Sequence, residues 1–183
     1  EKMDLDIQVS KLKLLKANHT SQRYRLEDNI AKHYPQQIAA MKERIAGYRT
    51  DIQTYMQNKP IDKEEFSMKI GNRVFTDKKE AGAALIDMCR SAKQPNMAVT
   101  IGEFQGFPMK VSFDSFYSKF TINLKGSLSH EVEIGADPLG NLQRLSNALE
   151  GMAGKMAEVE QKLANVEHQM ETAKVEVTKP FDK

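Results

Sequence analysis

The sequence lacks the residues on which several classes of site depend. It has one cysteine, Cys89, and no tryptophan among its 183 residues. A single cysteine excludes an intrachain disulfide and a zinc site built from several thiolates. No apolar run approaches the roughly 20 residues that a membrane span requires. Charges run through the amino-terminal segment, which is unlike a secretory signal. We therefore expect a soluble, cytoplasmic protein with no membrane partner.

Motifs for catalysis and cofactor binding are also missing. The stretch GNLQRLSNALEG contains no Gly-Lys-Ser/Thr of a phosphate-binding loop, and the two glycines of GEFQGF fall at a predicted strand turn. The four histidines, His19, His33, His130 and His168, share no ligand spacing. We interpret His130 as a surface strand residue and Cys89 as a small buried apolar residue. The sequence predicts no enzyme, cofactor or metal site.

Alternation of apolar and polar residues predicts an antiparallel sheet in the middle of the chain. Four stretches alternate in this way: MAVTIGEF, FPMKVSFD, SKFTINLKG and SHEVEIG. The first two meet at Gln105–Gly106 and the last two around Gly126–Ser127. A shorter hairpin is predicted upstream, with its turn at Gly71–Asn72. The helix predicted over 77–92, capped by Thr76 or Asp77, would cover the apolar face of the sheet.

Helical spacing of apolar residues predicts long helices on both sides of this sheet. Residues 3–34 form one such segment, with a break or kink expected near residue 35 because Pro35 disfavours a helical Tyr34. A second segment repeats apolar residues in steps of three and four from Ile38 to Tyr55, as in a coiled coil. The last segment begins at Asp137–Pro138 and keeps the same steps to Ala173, which predicts a helix of about 40 residues.

These patterns together predict the α+β class. We expect a small antiparallel sheet of four or more strands with one covering helix, capping a long antiparallel coiled-coil-like helical stalk. The predicted parts are an amino-terminal helical arm over 1–60, a head over 61–136, and a carboxy-terminal helix over 137–183 that packs on the arm. The chain starts within a helical pattern and without Met, so we expect it to belong to a longer protein.

The distribution of charge is the main clue to a partner. Residues 10–25 contain five cations and no acid, which on a helix suggests contact with phosphates. Three more lysines alternate to the polar face of the predicted sheet. The candidate nucleic-acid-binding residues are Lys11, Lys13, Lys16, Arg23, Arg25, Lys110, Lys119 and Lys125. Two alternatives remain: a solvated helix face, or internal pairing of the first segment with the acidic last helix.

Four stretches of this chain resemble a family of very large proteins from conjugative elements and phages, in which a Swi/Snf-type helicase is fused to an adenine-specific DNA methylase. The stretches are EKMDLDIQVSKLKLLKANHTSQRYRLEDNIAKHYPQQI, FTDKKEAGAALIDMCR, IGEFQGFPMKVSFDSF and LKGSLSHEVEIGADPLGNLQRLSNALE. They are similar to the region after the helicase core and to the carboxy-terminal region. The family's ATPase and methylase motifs lie upstream, so no catalytic residue is transferred. The resemblance implies an accessory module of a DNA-processing machine.

Two hypotheses about function follow. The first is a non-catalytic accessory domain of a mobile-element helicase and methylase, which assists DNA engagement through backbone contacts. Its partners would be DNA and the upstream helicase core of the parent chain. The alternative is a structural or protein-interaction module without DNA contact, which acts as a spacer or forms a homodimer through its helical arms.

Overall fold

The computed structural model describes residues 2–62, 65–93 and 97–178, and within them it contains five α-helices and six β-strands. The described chain forms two compact units. One combines the residues up to Glu43 with those from Val159 onwards, and the other spans Arg44–Glu158. The second unit is larger than the predicted head over 61–136. The reason is that the end of the second helix and the start of the carboxy-terminal helical region pack with the sheet.

Two consecutive helices make up the amino-terminal region: α1 spans Lys2–Asp28 and α2 spans Tyr34–Asn58. Between them, Asn29–His33 form a π-helical turn, and the backbone N–H of Tyr34 donates to the carbonyl of Asn29. Pro35 has no N–H to donate, and its ring crowds the preceding turn. A wider turn relieves that crowding, so the irregularity expected near residue 35 is a π-helical turn rather than a break.

The first unit buries the heptad positions of two separate segments. Leu26, Ile30 and Met41 are half-buried in the amino-terminal segment. In α5, which spans Met152–Thr178, the half-buried positions of this unit step by three and four along one face: Val159, Leu163, Val166 and Met170. Ala173 continues that face and is buried. Over residues 26–41 and 159–173 the predicted spacing therefore marks the face that this unit covers, whereas Leu5, Val9 and Leu12 have the same spacing and are exposed.

The second unit is built on a single six-stranded antiparallel sheet. Its strands are β1 (Met68–Ile70), β2 (Arg73–Phe75), β3 (Val99–Phe104), β4 (Phe107–Asp114), β5 (Lys119–Lys125) and β6 (Ser129–Ile134). The order across the sheet is β2-β1-β3-β4-β5-β6. The predicted hairpin at Gly71–Asn72 joins the same sheet because β1 pairs with β3. The α+β class is confirmed.

The hairpin turns occur at the positions predicted from the sequence. Gly71 has φ of 62°, and Gln105 and Gly106 have φ of 50° and 88°. Two consecutive residues with positive φ match the twist of a two-residue hairpin, and glycine adopts this conformation without steric cost. The alternation of buried and exposed residues along β4 and β6 then directs one face of the sheet inward.

Two helices, rather than the single one predicted, cover the sheet. Helix α3 spans Lys78–Ser91, is capped by the side chain of Asp77, and contacts β1 and β2. Helix α4 spans Pro138–Glu150 and contacts both α3 and β6. The buried side chain of Asn141 fixes α4 to the end of β6, because its amide exchanges two hydrogen bonds with the backbone of Gly135 (2.8 and 3.0 Å).

The long carboxy-terminal helix predicted from the sequence is divided in two. Helix α4 ends at Glu150 and α5 begins at Met152, with Gly151 forming the turn between them. Gly151 still donates its N–H to the carbonyl of Asn147, so the chain direction is only locally disturbed. Glycine disfavours a helix interior by about 1 kcal/mol relative to alanine, which explains why the irregularity falls at this residue. Among the described helices, none combines the length and apolar character that crossing a bilayer requires.

Candidate nucleic-acid interface

All five predicted cations of the first segment lie on α1 and are exposed to solvent. The acid-free stretch over 10–25 therefore forms an accessible basic helical segment. At about 3.6 residues per turn, however, the five side chains do not form a single line. Lys13, Lys16 and Arg23 share one face of the helix, whereas Lys11 and Arg25 lie at least about a third of a turn away.

Two grooves on α1 lie on these two different faces of the helix. The first is lined by Leu5, Gln8, Val9, Leu12, Lys13 and Lys16. The second is lined by Asp6, Ile7, Ser10, Lys11 and Leu14. The basic segment thus presents cations on two faces, each mixed with exposed apolar side chains. The five cations therefore do not form a single strip along the helix.

The ion pairs of this segment show which of its cations are already paired within the protein and which could contact a ligand. Arg23 pairs with Glu27 (Nε to Oε1, 3.4 Å) on its own helix. Across residues 2–62, 65–93 and 97–178, no side chain forms an ion pair with Lys11, Lys13 or Lys16. On the acidic last helix, Glu171 pairs instead with Lys174 (3.3 Å). Pairing with that helix does not use the charges of these three lysines.

The three predicted lysines of the sheet lie in a different electrostatic setting. Lys119 pairs with Glu133 (Nζ to Oε1, 2.8 Å), and this contact raises the pKa of Lys119 and lowers that of Glu133. Lys125 donates to the hydroxyl of Ser129 (2.8 Å), and Lys110 is half-buried. With Glu131 and Asp114 also on this face, the sheet surface balances its charges. It attracts phosphates less than α1 does.

The structure also contains a buried polar cluster that the sequence reading missed. Asp51, on α2, is only 1% exposed and His130, on β6, only 6%. The Asp51 carboxylate accepts hydrogen bonds from the backbone N–H of Ser127 (2.6 Å), the backbone N–H of Leu128 (3.0 Å) and Nε2 of His130 (2.7 Å). One side chain of α2 thereby holds the turn between β5 and β6.

The surroundings of this Asp51–His130 cluster indicate a structural role. The His130 ring lies 6.0 Å from the ring of Tyr48 and 6.1 Å from that of Phe107, measured between centroids. A Cβ added at Gly126 would collide with the Asp51 carboxylate, which explains glycine at this turn. The interpretation of His130 as a surface strand residue is therefore wrong. Its alternation with Val132 and Ile134, both inward-facing, was the signal that predicts burial.

Cys89 is buried, as the sequence predicted, with 1% of its surface exposed. Burial raises the pKa of its thiol to about 11. Near pH 8 the reactive thiolate is then about 100-fold rarer in the folded protein than in an unfolded chain. We expect a disulfide reagent such as DTNB to modify Cys89 at least that much more slowly before denaturation than after it. Equal rates in the two states would contradict this environment.

The described residues contain no cluster of three or more His, Cys, Asp or Glu side chains able to hold a metal ion. Burial of the Tyr55 phenol, together with the negative charge of Glu150, raises the pKa of Tyr55. Tyr55 lines an open cavity of about 590 Å³ with Lys59, Lys78 and Gln143. This cavity mixes both signs of charge and places no activated nucleophile beside a base.

Comparisons with known proteins identify no related protein. No family model matches the chain, and neither the curated proteins nor the solved structures contain a significant match.

Proposed function

We propose that this chain is a non-catalytic module that engages DNA through backbone contacts made by α1. The observation that carries the proposal is the acid-free segment over 10–25, whose Lys11, Lys13 and Lys16 are exposed and form no ion pair with any described residue. Unpaired cations on an accessible helix release counterions from a phosphate backbone when they bind. Such contacts carry no sequence information, so binding is expected to be sequence-independent.

The resemblance described above supports a proposal about the longer protein to which this module belongs. We propose that the module belongs to a helicase and methylase of a mobile element and acts in the cytoplasm beside the upstream helicase core. In such a machine, a basic helix would retain DNA near the motor while the catalytic residues lie elsewhere. The charge-balanced sheet makes α1, and not the face carrying Lys110, Lys119 and Lys125, the principal contact.

A charge-neutralisation experiment tests this assignment. Changing Lys11, Lys13, Lys16, Arg23 and Arg25 to Gln is expected to weaken DNA binding at every sequence. On duplex DNA, log affinity falls with log salt, and each lost phosphate contact makes this slope less steep by about 0.9. Fluorescence anisotropy with labelled single- and double-stranded DNA across a salt series measures both effects.

The matched control is the variant in which Lys110, Lys119 and Lys125 become Gln. It removes three cations from the sheet, and we expect it to change affinity far less than the α1 variant does. Two partial variants, one at Lys13 and Lys16 and one at Lys11 and Arg25, identify which face of the helix meets DNA. Unchanged affinity in the five-residue variant would show that α1 is not the interface.

A second candidate function is protein interaction, and a specific observation favours it. Leu5, Val9 and Leu12 lie on one face of α1 and are 62%, 50% and 48% exposed. Large aliphatic side chains left in water along one helical face are typical of a surface that another protein covers. The same helix thus offers both a charged and an apolar contact.

A further inference from the structure

The exposed apolar residues of α1 continue a seam that is covered further along the chain. Leu5, Val9 and Leu12, hereafter the α1 stripe, step by four and three residues. The same steps lead on, through the polar residues Lys16, His19 and Arg23, to Leu26 and Ile30, which are half-buried within the first unit. A seam with this repeat packs against another helix along its length. The α1 stripe is the apolar part of this seam that remains exposed to solvent.

Charge is divided along this part of the helix. Asp4 and Asp6 lie at its amino-terminal end, and Lys11, Lys13 and Lys16 at the other. A second α1 placed parallel would set acids against acids and lysines against lysines. Placed antiparallel, it sets the acidic end of each helix against the basic end of the other. Opposite charges beside an apolar seam select orientation and partner in paired helices.

We propose that the α1 stripe is the contact of a symmetric antiparallel homodimer. Val9 of each copy packs against Leu12 of the other, Leu5 packs on the aliphatic stem of Lys16, and Asp6 faces Lys13. The contact is isologous, the commonest arrangement in homo-oligomers, because each copy offers the same patch. The proposal rests on the protein-interaction candidate and not on DNA binding. Lys11 and Arg25 lie on another face of α1, so the dimer leaves these two cations accessible to phosphates.

The contact spans residues 5–16, a length of about 18 Å along the helix. An interface of this length belongs to the small, weakly associating class. We therefore expect a reversible dimer that forms in the micromolar range and above. Sedimentation velocity or light scattering over a concentration series should show the mass rising from the 20.7 kDa of one chain towards twice that value.

A pair of matched variants locates the contact. Changing Leu5, Val9 and Leu12 to Gln is expected to keep the protein monomeric at every concentration tested. The control changes Ile7 and Leu14, which line the other groove of α1, to Gln and should dimerise as the natural protein does. All five side chains are exposed, so neither variant is expected to impair folding. A natural protein that stays monomeric at the highest concentration would overturn the proposal.

Charge exchange tests the orientation. Asp6→Lys alone, and Lys13→Asp alone, should each weaken the dimer about tenfold, because each turns two symmetric attractions into repulsions. Combining the two changes in one chain should restore dimerisation in an antiparallel pair. In a parallel pair the combined variant would keep like charges opposed, so absence of rescue overturns the orientation. DNA anisotropy on the Leu5, Val9 and Leu12 variant separates the two proposals. A monomeric variant that still binds DNA leaves the DNA function intact, whereas a natural protein that dimerises but does not bind DNA counts against the DNA function alone.

Discussion

Replacing Asp51 by Ala is expected to lower the free energy of unfolding by about 3–5 kcal/mol, because it removes the acceptor of three hydrogen bonds at about 1–2 kcal/mol each. The carboxylate accepts from Ser127, Leu128 and His130, and its loss leaves the buried His130 ring and two partly buried backbone N–H groups without this partner. Buried groups without partners lose hydration and gain nothing in return. Urea unfolding followed by circular dichroism measures the difference directly.

Two further variants make this result specific. Asp87→Ala removes an exposed acid from α3, within the same unit, and should change stability by no more than about 0.5 kcal/mol. A double-mutant cycle between Asp51→Ala and His130→Phe should be non-additive by about 0.5–3 kcal/mol because the two side chains share a hydrogen bond. If Asp51→Ala costs no more than Asp87→Ala, the cluster does not hold the β5–β6 turn in solution.

Replacing Phe107 by Ala is expected to cost about 3–5 kcal/mol, as is typical when a buried aromatic side chain is removed and a cavity remains. Phe107 is fully buried at the start of β4, opposite Phe104 of β3, and its ring meets that of His130 edge-on. The change therefore loosens both the sheet core and the Asp51–His130 cluster. Thermal or urea unfolding of the purified variant reports the loss.

The chain provides a control of the same residue type. Phe116 lies between β4 and β5 and is 85% exposed, next to the ring of Tyr117, which is 66% exposed. Phe116→Ala should change the free energy of unfolding by no more than about 0.5 kcal/mol, since it removes little buried area. A large loss at Phe116, or a small one at Phe107, would contradict the burial that distinguishes these two positions.

These experiments also separate stability from function. The core and cluster variants act on the second unit, whereas the DNA and dimer variants change exposed residues of α1. An exposed substitution that abolishes DNA binding or dimerisation with unchanged unfolding reports on the interface itself. Lys13 and Lys16 are also informative, because they belong to the basic segment and lie beside the α1 stripe, so they take part in both proposals.

Local physical chemistry alone determined much of this protein. Period-two alternation fixed which residues of β4, β5 and β6 face inward, and the Gln105–Gly106 turn follows from local backbone preferences. Asp77 could be expected to start α3, and the steps of three and four from Leu142 to Ala173 marked the buried helical face. These features depend on neighbours a few residues away, which a sequence displays directly.

Only the tertiary structure decided the features that depend on distant residues. Asp51 and His130 are 79 positions apart, and nothing near either one indicates the other. The ion pair between Lys119 and Glu133 likewise depends on the register of β5 with β6. The sequence predicted Lys119 as a contact for phosphates, but in the fold Glu133 offsets its charge. Residue type sets what a side chain is able to do, but long-range packing selects its partner, its solvation and therefore its role.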